Sequence, residues 1–265
     1  MSYEDVLPST TPKYEFKGIQ DCLQILERPG EQHEAGMDSY IIFNIDERSF
    51  LDYIQNSDES LLRKSWKFYD PSLNLLVVKA MESTTHGAAQ GAFEKIFEAW
   101  TGFDENYPLL ATRNATFRGA SGRNKRPDSA WQPLHAASGR SSHWPTIVLE
   151  VACSESRRKI ERDIKFWLTE SNDQVNIALT MRIYNRGRIS VEEWRGRGPN
   201  RPPIPCQRID IVRDAGLNGS RVQGSFRLSY EDIHLRERPQ KATDFTLTAG
   251  NMEYIAKAVW EFQFA

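Results

Sequence analysis

Hydrophobic positions in this chain come in two patterns. Predominantly apolar runs occupy residues 40–43, 73–81 and 145–153, the last (PTIVLEVAC) being the most strand-like stretch in the sequence. Runs of this length, bounded by turn residues, predict strands covered on both faces. Elsewhere the period changes to that of a helix. Phe93, Ile96, Phe97 and Trp100 predict a helix ending near Trp100, with Ser83, Thr84 or Thr85 as its cap. Ile160, Ile164, Trp167 and Leu168 fall at i, i+4, i+7 and i+8 and predict a second helix, capped by Ser154 or Ser156. Residues 174–184 (QVNIALTMRIY) read as another interior strand, which completes a β-α-β unit with parallel strands. Strand-like runs at 189–194, 208–212 and 225–228 follow, and residues 250–262 close as a helix with Ile255, Val259 and Phe262 on one side. The expected class is α/β: a mixed central sheet flanked by helices, with extra C-terminal strands and a terminal helix. No internal repeat interrupts it. Residues 1–36, acidic and rich in turn formers, read as a loosely attached arm, and residues 37–265 as a single domain.

Composition narrows the function classes. The chain has 265 residues, 39% of them hydrophobic, enough for one large core. No stretch approaches the roughly 20 apolar residues of a membrane-spanning helix, and the opening MSYEDVLPSTTPKYEF has neither a basic nor an apolar leader region. An intracellular protein is expected, with nucleus and cytoplasm undistinguished. Cys22, Cys153 and Cys206 are odd in number and lack CxxC spacing, which points to a reducing compartment without structural zinc.

Charge is unevenly placed. Residues 1–112 carry 9 Lys+Arg and 19 Asp+Glu, and residues 113–265 carry 25 and 17, so a net of −10 faces a net of +8. Of the later cations 20 are Arg, whose planar fork suits phosphate oxygens. Nucleic acid is therefore a candidate partner, beside the plainer reading of an Arg-rich solvated surface.

One acid stands out. Glu150 interrupts Ile147, Val148, Leu149 and Val151, and an unpartnered carboxylate in such a strand costs several kcal/mol, roughly the desolvation of a polar group. A cation, an arginine or an exposed strand end must compensate. Alternation puts Glu150 on the face of Val148 and the small Ala152, which leaves room beside it. Asp128, just after Pro127 at the start of a short strand ending in Trp131, is the natural second acid. If the two strands are neighbours the carboxylates converge, and hard oxygen ligands favour Mg²⁺ or Mn²⁺ over zinc. Alone, Asp128 is an ordinary turn residue after proline.

Pro127-Asp128, the Glu150-Val151 pair on the next strand, Ser154 and an Arg-rich helix together resemble the PD-(D/E)XK restriction-endonuclease-like superfamily, and more closely its Uma-type proteins. His86 at the start of a helix upstream, the late EEW strand and the C-terminal LTAGNMEYIAKAVWEFQ resemble an uncharacterised fungal branch of that fold, over roughly residue 73 to the C-terminus. The resemblance implies a Mg²⁺-dependent nuclease, a phosphodiester hydrolase acting on DNA, in which Asp128, Glu150 and the Val151 carbonyl hold the metal and a lysine orients the attacking water. The sequence departs from the pattern at that lysine, because Ala152 stands in its place. Uma-type proteins take it from the following helix. At about 1.5 Å per residue the level of Glu150 falls near residues 160–163, bracketed by Lys159 and Lys165. Resemblance selects Lys165, just ahead of an aromatic, with Lys159 in reserve.

His86 and Glu94 share one helix face and are candidate accessory groups, against a helix cap and a solvated glutamate. Arg126, Arg157 and Arg158 are candidate phosphate contacts, as are Arg186, Arg188, Arg195, Arg197 and Arg201 around a hairpin and loop. Arg157 has a rival role as an ion-pair partner neutralising Glu150 without any metal. The alternative function is a catalytically inactive member of the fold serving as a nucleic-acid or protein interaction module; a small-substrate acid/base hydrolase is the third. A homodimer is a candidate assembly.

Overall fold

The computed structural model describes residues 3–27, 39–56, 60–102, 108–113, 115–135, 140, 143–153, 155–198, 201–214 and 219–265. In chain order these form β1 (Lys13–Glu15), α1 (Ile19–Glu27), β2 (Ser39–Asn44), α2 (Glu47–Phe50), α3 (Ser60–Ser65), β3 (Trp66–Asp70), β4 (Leu75–Met81) and α4 (Thr84–Thr101). There follow β5 (Leu109–Ala111), β6 (Phe117–Arg118), β7 (Asn124–Lys125), β8 (Ser129–Pro133), β9 (Ile147–Cys153), α5 (Arg157–Glu170), β10 (Ile177–Ile183) and β11 (Ile189–Arg195). The chain closes with β12 (Ile204–Arg213), β13 (Ser220–Gly224), β14 (Arg227–Leu228), α6 (Tyr230–His234), β15 (Phe245–Thr246) and α7 (Ala249–Gln263).

The α/β class is as expected, but the strands divide between two large sheets. One runs β1-β2-β4-β3-β7-β6, the other β13-β12-β11-β10-β9-β8-β5, and β14-β15 form a separate pair. The run at 73–81 therefore lies in a different sheet from the run at 145–153, a division that hydrophobic pattern alone does not reveal. Strand β9, whose seven residues are all buried, pairs parallel with β10 and antiparallel with β8. The β9-α5-β10 unit is the one its sequence predicts.

Alternation along β9 assigns its faces. Ile147, Leu149 and Val151 pack with Ala89, Phe93 and Phe97 of α4 and with Met252, Ile255 and Val259 of α7. Val148 and Ala152 point the other way, into a core of Ile160, Ile164 and Trp167 from α5 together with Phe68, Leu75 and Val77 of the first sheet. The second core thus joins the two sheets. Helix caps follow the sequence: Ser83 accepts from the His86 N–H and Ser156 from the Lys159 N–H. Ser154, the alternative cap, lies outside the described residues.

The opening residues are not a loose arm. Tyr3 is buried, stacks on Phe68 at 4.3 Å and donates its hydroxyl to Asp163 at 2.6 Å, while β1 pairs with β2. Enough apolar surface is covered here to order the segment, despite its turn-rich composition. Residues 28–38, at the end of the expected arm, lie outside the description.

Candidate functional site

Asp128 sits where the chain passes from one sheet to the other. Strand β7 belongs to the first sheet, with Lys125 opposite Phe68 of β3, and β8 belongs to the second, with Ser129 opposite Leu149. Arg126, Pro127 and Asp128 make the crossing, and Pro127, lacking an N–H, cannot extend either ladder. Asp128 thereby falls beside Glu150 and Val151. Its Oδ2 accepts the Val151 N–H at 2.8 Å, and its Oδ1 accepts from Lys67 Nζ at 2.8 Å and faces His86 Nε2 at 3.4 Å.

Helix α4 brings up the other side. His86, Gln90 and Glu94 recur every fourth residue, so they form one stripe along it. The Gln90 amide donates to the Asp128 carbonyl at 2.7 Å, and Glu94 accepts from the Ser129 hydroxyl at 2.7 Å. His86 is fully buried, with Nε2 3.0 Å from Glu82 Oε1. Lys79 Nζ lies 3.2 Å from His86 Nδ1, so the imidazole stands between an ammonium and the two carboxylates. Burial opposes ionisation of Asp128, but Lys67, His86 and Lys79 overcome it and hold the carboxyl well below its ordinary value. Glu82 is likewise held at about 2, burial being outweighed by His86 and Lys79.

Glu82, His86 and Asp128 each offer a ligand atom within 4.8 Å of the others. Separations of 3.0 and 3.4 Å are those between neighbouring ligands bonded to one divalent ion at about 2.0–2.2 Å. The trio fits a metal with His86 neutral and its Nε2 unprotonated, the form in which imidazole binds a metal. One nitrogen and two carboxylates admit Mn²⁺ and Zn²⁺ more readily than an all-oxygen set would.

Glu150 is not part of that trio. Its Oε1 accepts from Trp167 Nε1 at 2.6 Å and lies 3.1 Å from Lys125 Nζ, on the α5 side of the sheet. Lys125 also meets Asp163 Oδ1 at 2.7 Å, and Asp163 Oδ2 accepts from Lys159 at 3.0 Å. Burial, the largest influence, pushes Glu150 up to about 7, Asp163 and Asp128 adding to it and Lys125 opposing. Asp163 goes the other way, to about 2, because Lys125 and Lys159 outweigh its burial. The compensation that Glu150 demanded is therefore an ammonium, not the Arg157 guanidinium: Arg157 bonds Glu161 at 2.9 Å and Glu192 at 3.4 Å.

Val151 meets Asp128 through its N–H. Lys159 is buried between Glu155 at 2.8 Å and Asp163, and Lys165 is exposed, away from the Ile160/Ile164/Trp167 stripe that faces the sheet. Neither forms an ion pair with Asp128 or Glu150 among the described residues. Arg158 is exposed. Arg126 is buried, stacks over Trp66 at 3.9 Å and donates to Thr116 at 3.1 Å and to the Arg63 carbonyl, with burial lowering its pKa to about 10. Its fork is closed to a ligand.

Sequence reading missed Lys67, Lys79, Glu82, Lys125 and Asp163. Two carried a signal. Lys79 interrupts Val77, Val78, Ala80 and Met81 much as Glu150 interrupts its strand, and Asp163 lies between Ile160 and Trp167 on an apolar stripe. Lys67 carried none, since it occupies a β-bulge: the β3–β4 register shifts between Trp66 and Phe68. The irregularity re-aims its side chain at Asp128.

No protein-family model matches the chain, and no curated protein matches it. Among solved structures, a DUF820 protein of Anabaena variabilis described as a candidate nuclease aligns with a TM-score of 0.44 at 9% identity, covering 71% of this chain and 90% of that one. No helix among the described residues is long and apolar enough to cross a membrane.

Proposed function

We propose that the chain is a metal-dependent phosphodiester hydrolase acting on nucleic acid, DNA in the first place, with Asp128 at the centre of its site. One observation carries this reading: Asp128, His86 and Glu82 converge at ligand spacing at the crossing between two sheets, where Glu82 also lines a cleft together with Lys64, Lys67 and Lys79. The Pro127-Asp128 and Glu150-Val151 pairs on adjacent strands, followed by α5 and a parallel β10, support it as a restriction-endonuclease-like arrangement of the Uma type. A bound Mg²⁺ or Mn²⁺ would polarise the phosphate and acidify a water. The chain's own groups do the rest. Asp128, kept ionised by Lys67, offers its carboxylate to the ion; the Val151 N–H and the Gln90 contact fix its orientation; Lys67 and Lys79 stand where developing negative charge needs a counter-charge that Ala152 cannot give. Lys125 holds Glu150 out of the ligand set.

The test is cleavage of labelled DNA and RNA with Mg²⁺ or Mn²⁺ by the native chain, Asp128→Asn and Glu150→Gln. Metal-dependent cleavage lost in Asp128→Asn supports the reading. No cleavage by the native chain, or cleavage that survives in Asp128→Asn, removes it. The Glu150–Lys125 pair favours a second reading, a non-catalytic nucleic-acid or protein interaction module, because a carboxylate already neutralised needs no metal. Nucleic-acid affinity without divalent-metal binding would select that reading.

A further inference from the structure

We propose that Lys64, Lys67 and Lys79 form a phosphate subsite that grips the backbone of a nucleic-acid strand beside Asp128. Its position rests on reading the cleft as the phosphodiesterase site, but its test needs no hydrolysis. Lys64, Lys67 and Lys79, with Leu61, Glu82 and Gln90, line a cleft of about 470 Å³. Among the described residues three ammonium groups meet one carboxylate in its lining, Glu82, and one behind Lys67, Asp128, so positive charge is in excess even though Lys67 and Lys79 each meet an acid. The excess is Lys64, which is exposed at the end of α3 and forms no ion pair with a described residue.

Each lysine arrives from a different element. Lys64 comes from α3, Lys67 from the β3 bulge and Lys79 from β4, which pairs with β3. A bulge that turns one side chain out of register towards a cleft is a feature kept where that side chain has a task there. Lys67 gives one of its three donors to Asp128 Oδ1, and an ammonium can serve a carboxylate and an anion at once. Lysine binds phosphate as a compact point charge, which suits a strand backbone of any sequence. The arginines expected to do this work lie elsewhere or are engaged, Arg126 on Trp66 and Arg157 on Glu161 and Glu192. The phosphate contacts therefore come from the acidic N-terminal half of the chain.

The experiment is fluorescence anisotropy with a labelled single-stranded DNA oligonucleotide and EDTA present, over a series of KCl concentrations. The full chain is compared with Lys64→Ala, Lys79→Gln and, as a control on the outer face of α7, Lys257→Ala. Lys64→Ala and Lys79→Gln are expected to bind more weakly and each to reduce the slope of log affinity against log salt by about 0.7, the value for one phosphate contact on a single strand. Lys257→Ala keeps the native slope. Lys64 is exposed, so its variant reports even where Lys79→Gln fails to fold. Native slopes in both lysine variants, or no binding by the native chain, overturn the proposal. Lysine-dependent binding without cleavage leaves it standing while the hydrolytic reading falls; cleavage with unchanged slopes does the reverse.

Discussion

Lys125 stands 3.1 Å from Glu150, and these two residues, 25 positions apart, join the last strand position of one sheet to the middle of the other. The pair is closed by Asp163 and Trp167 from α5 and by the ring of Tyr3, 6.0 Å from the ammonium. A buried cation placed between two carboxylates thus ties both sheets and α5 together at one point.

Lys125→Met leaves two buried carboxylates without their shared cation. A loss of roughly 3–5 kcal/mol is expected in urea denaturation, the cost of breaking a buried pair from one side. The double variant Lys125→Met/Glu150→Gln loses less than the single one, because one stranded charge is gone. Equal losses would mean that the Lys125 stem, not its charge, does the work.

Glu150 titrates at about 7 in the folded chain, above the 4.5 of an ordinary glutamate. Between those values the native state keeps a proton that the unfolded chain has released, so this group's contribution declines as the pH rises through 7. Glu150→Gln has no such decline. Its stability relative to the native chain should improve from about pH 5 to about pH 8 in paired denaturation curves. A difference that stays constant would show Glu150 ionised throughout.

Metal binding separates the trio seen in the structure from the pair expected in the sequence. In calorimetric titration with Mn²⁺, His86→Ala should bind at least about tenfold more weakly, the lower end of what losing even an outer partner of a metal ligand costs. Glu150→Gln should bind as the native chain does. The opposite result would return the metal to Asp128 and Glu150.

Arg126→Ala removes a guanidinium stacked on Trp66 and leaves the Arg63 carbonyl and Thr116 without their donor. About 2 kcal/mol of stability should go, from the cation–π contact and the lost hydrogen bonds. DNA affinity, measured at a temperature where the variant is folded, should not change. A selective loss of affinity would reinstate Arg126 as a phosphate contact.

The periodic parts of the sequence were readable. The apolar run at 147–153, the stripe of Ile160, Ile164 and Trp167 and the caps Ser83 and Ser156 are local features, and each forms as its spacing requires. Glu150 announced a compensating cation by interrupting an apolar strand, but nothing local said which cation. Lys125 reaches it across a sheet boundary, and that boundary, set by where β7 ends and β8 begins, depends on pairings far apart in the chain. Lys67 was hidden for the same reason, since a bulge is a property of two strands, not one. The N-terminal residues were misjudged because their turn-rich composition outweighed three buried side chains, Tyr3, Val6 and Leu7.

The bond between Tyr3 and Asp163 spans 160 positions. On a ribosome adding about 5–20 residues per second, the tyrosine waits roughly 10–30 s for its acceptor to be made. Until then Phe68 lacks the edge-on ring of Phe166 from α5 and Lys125 has neither Glu150 nor Asp163 beside it, so the nascent N-terminal sheet carries an open apolar face and an unmatched ammonium. Slow synthesis, or a truncation before α5, should therefore make this chain a client of the cell's chaperones.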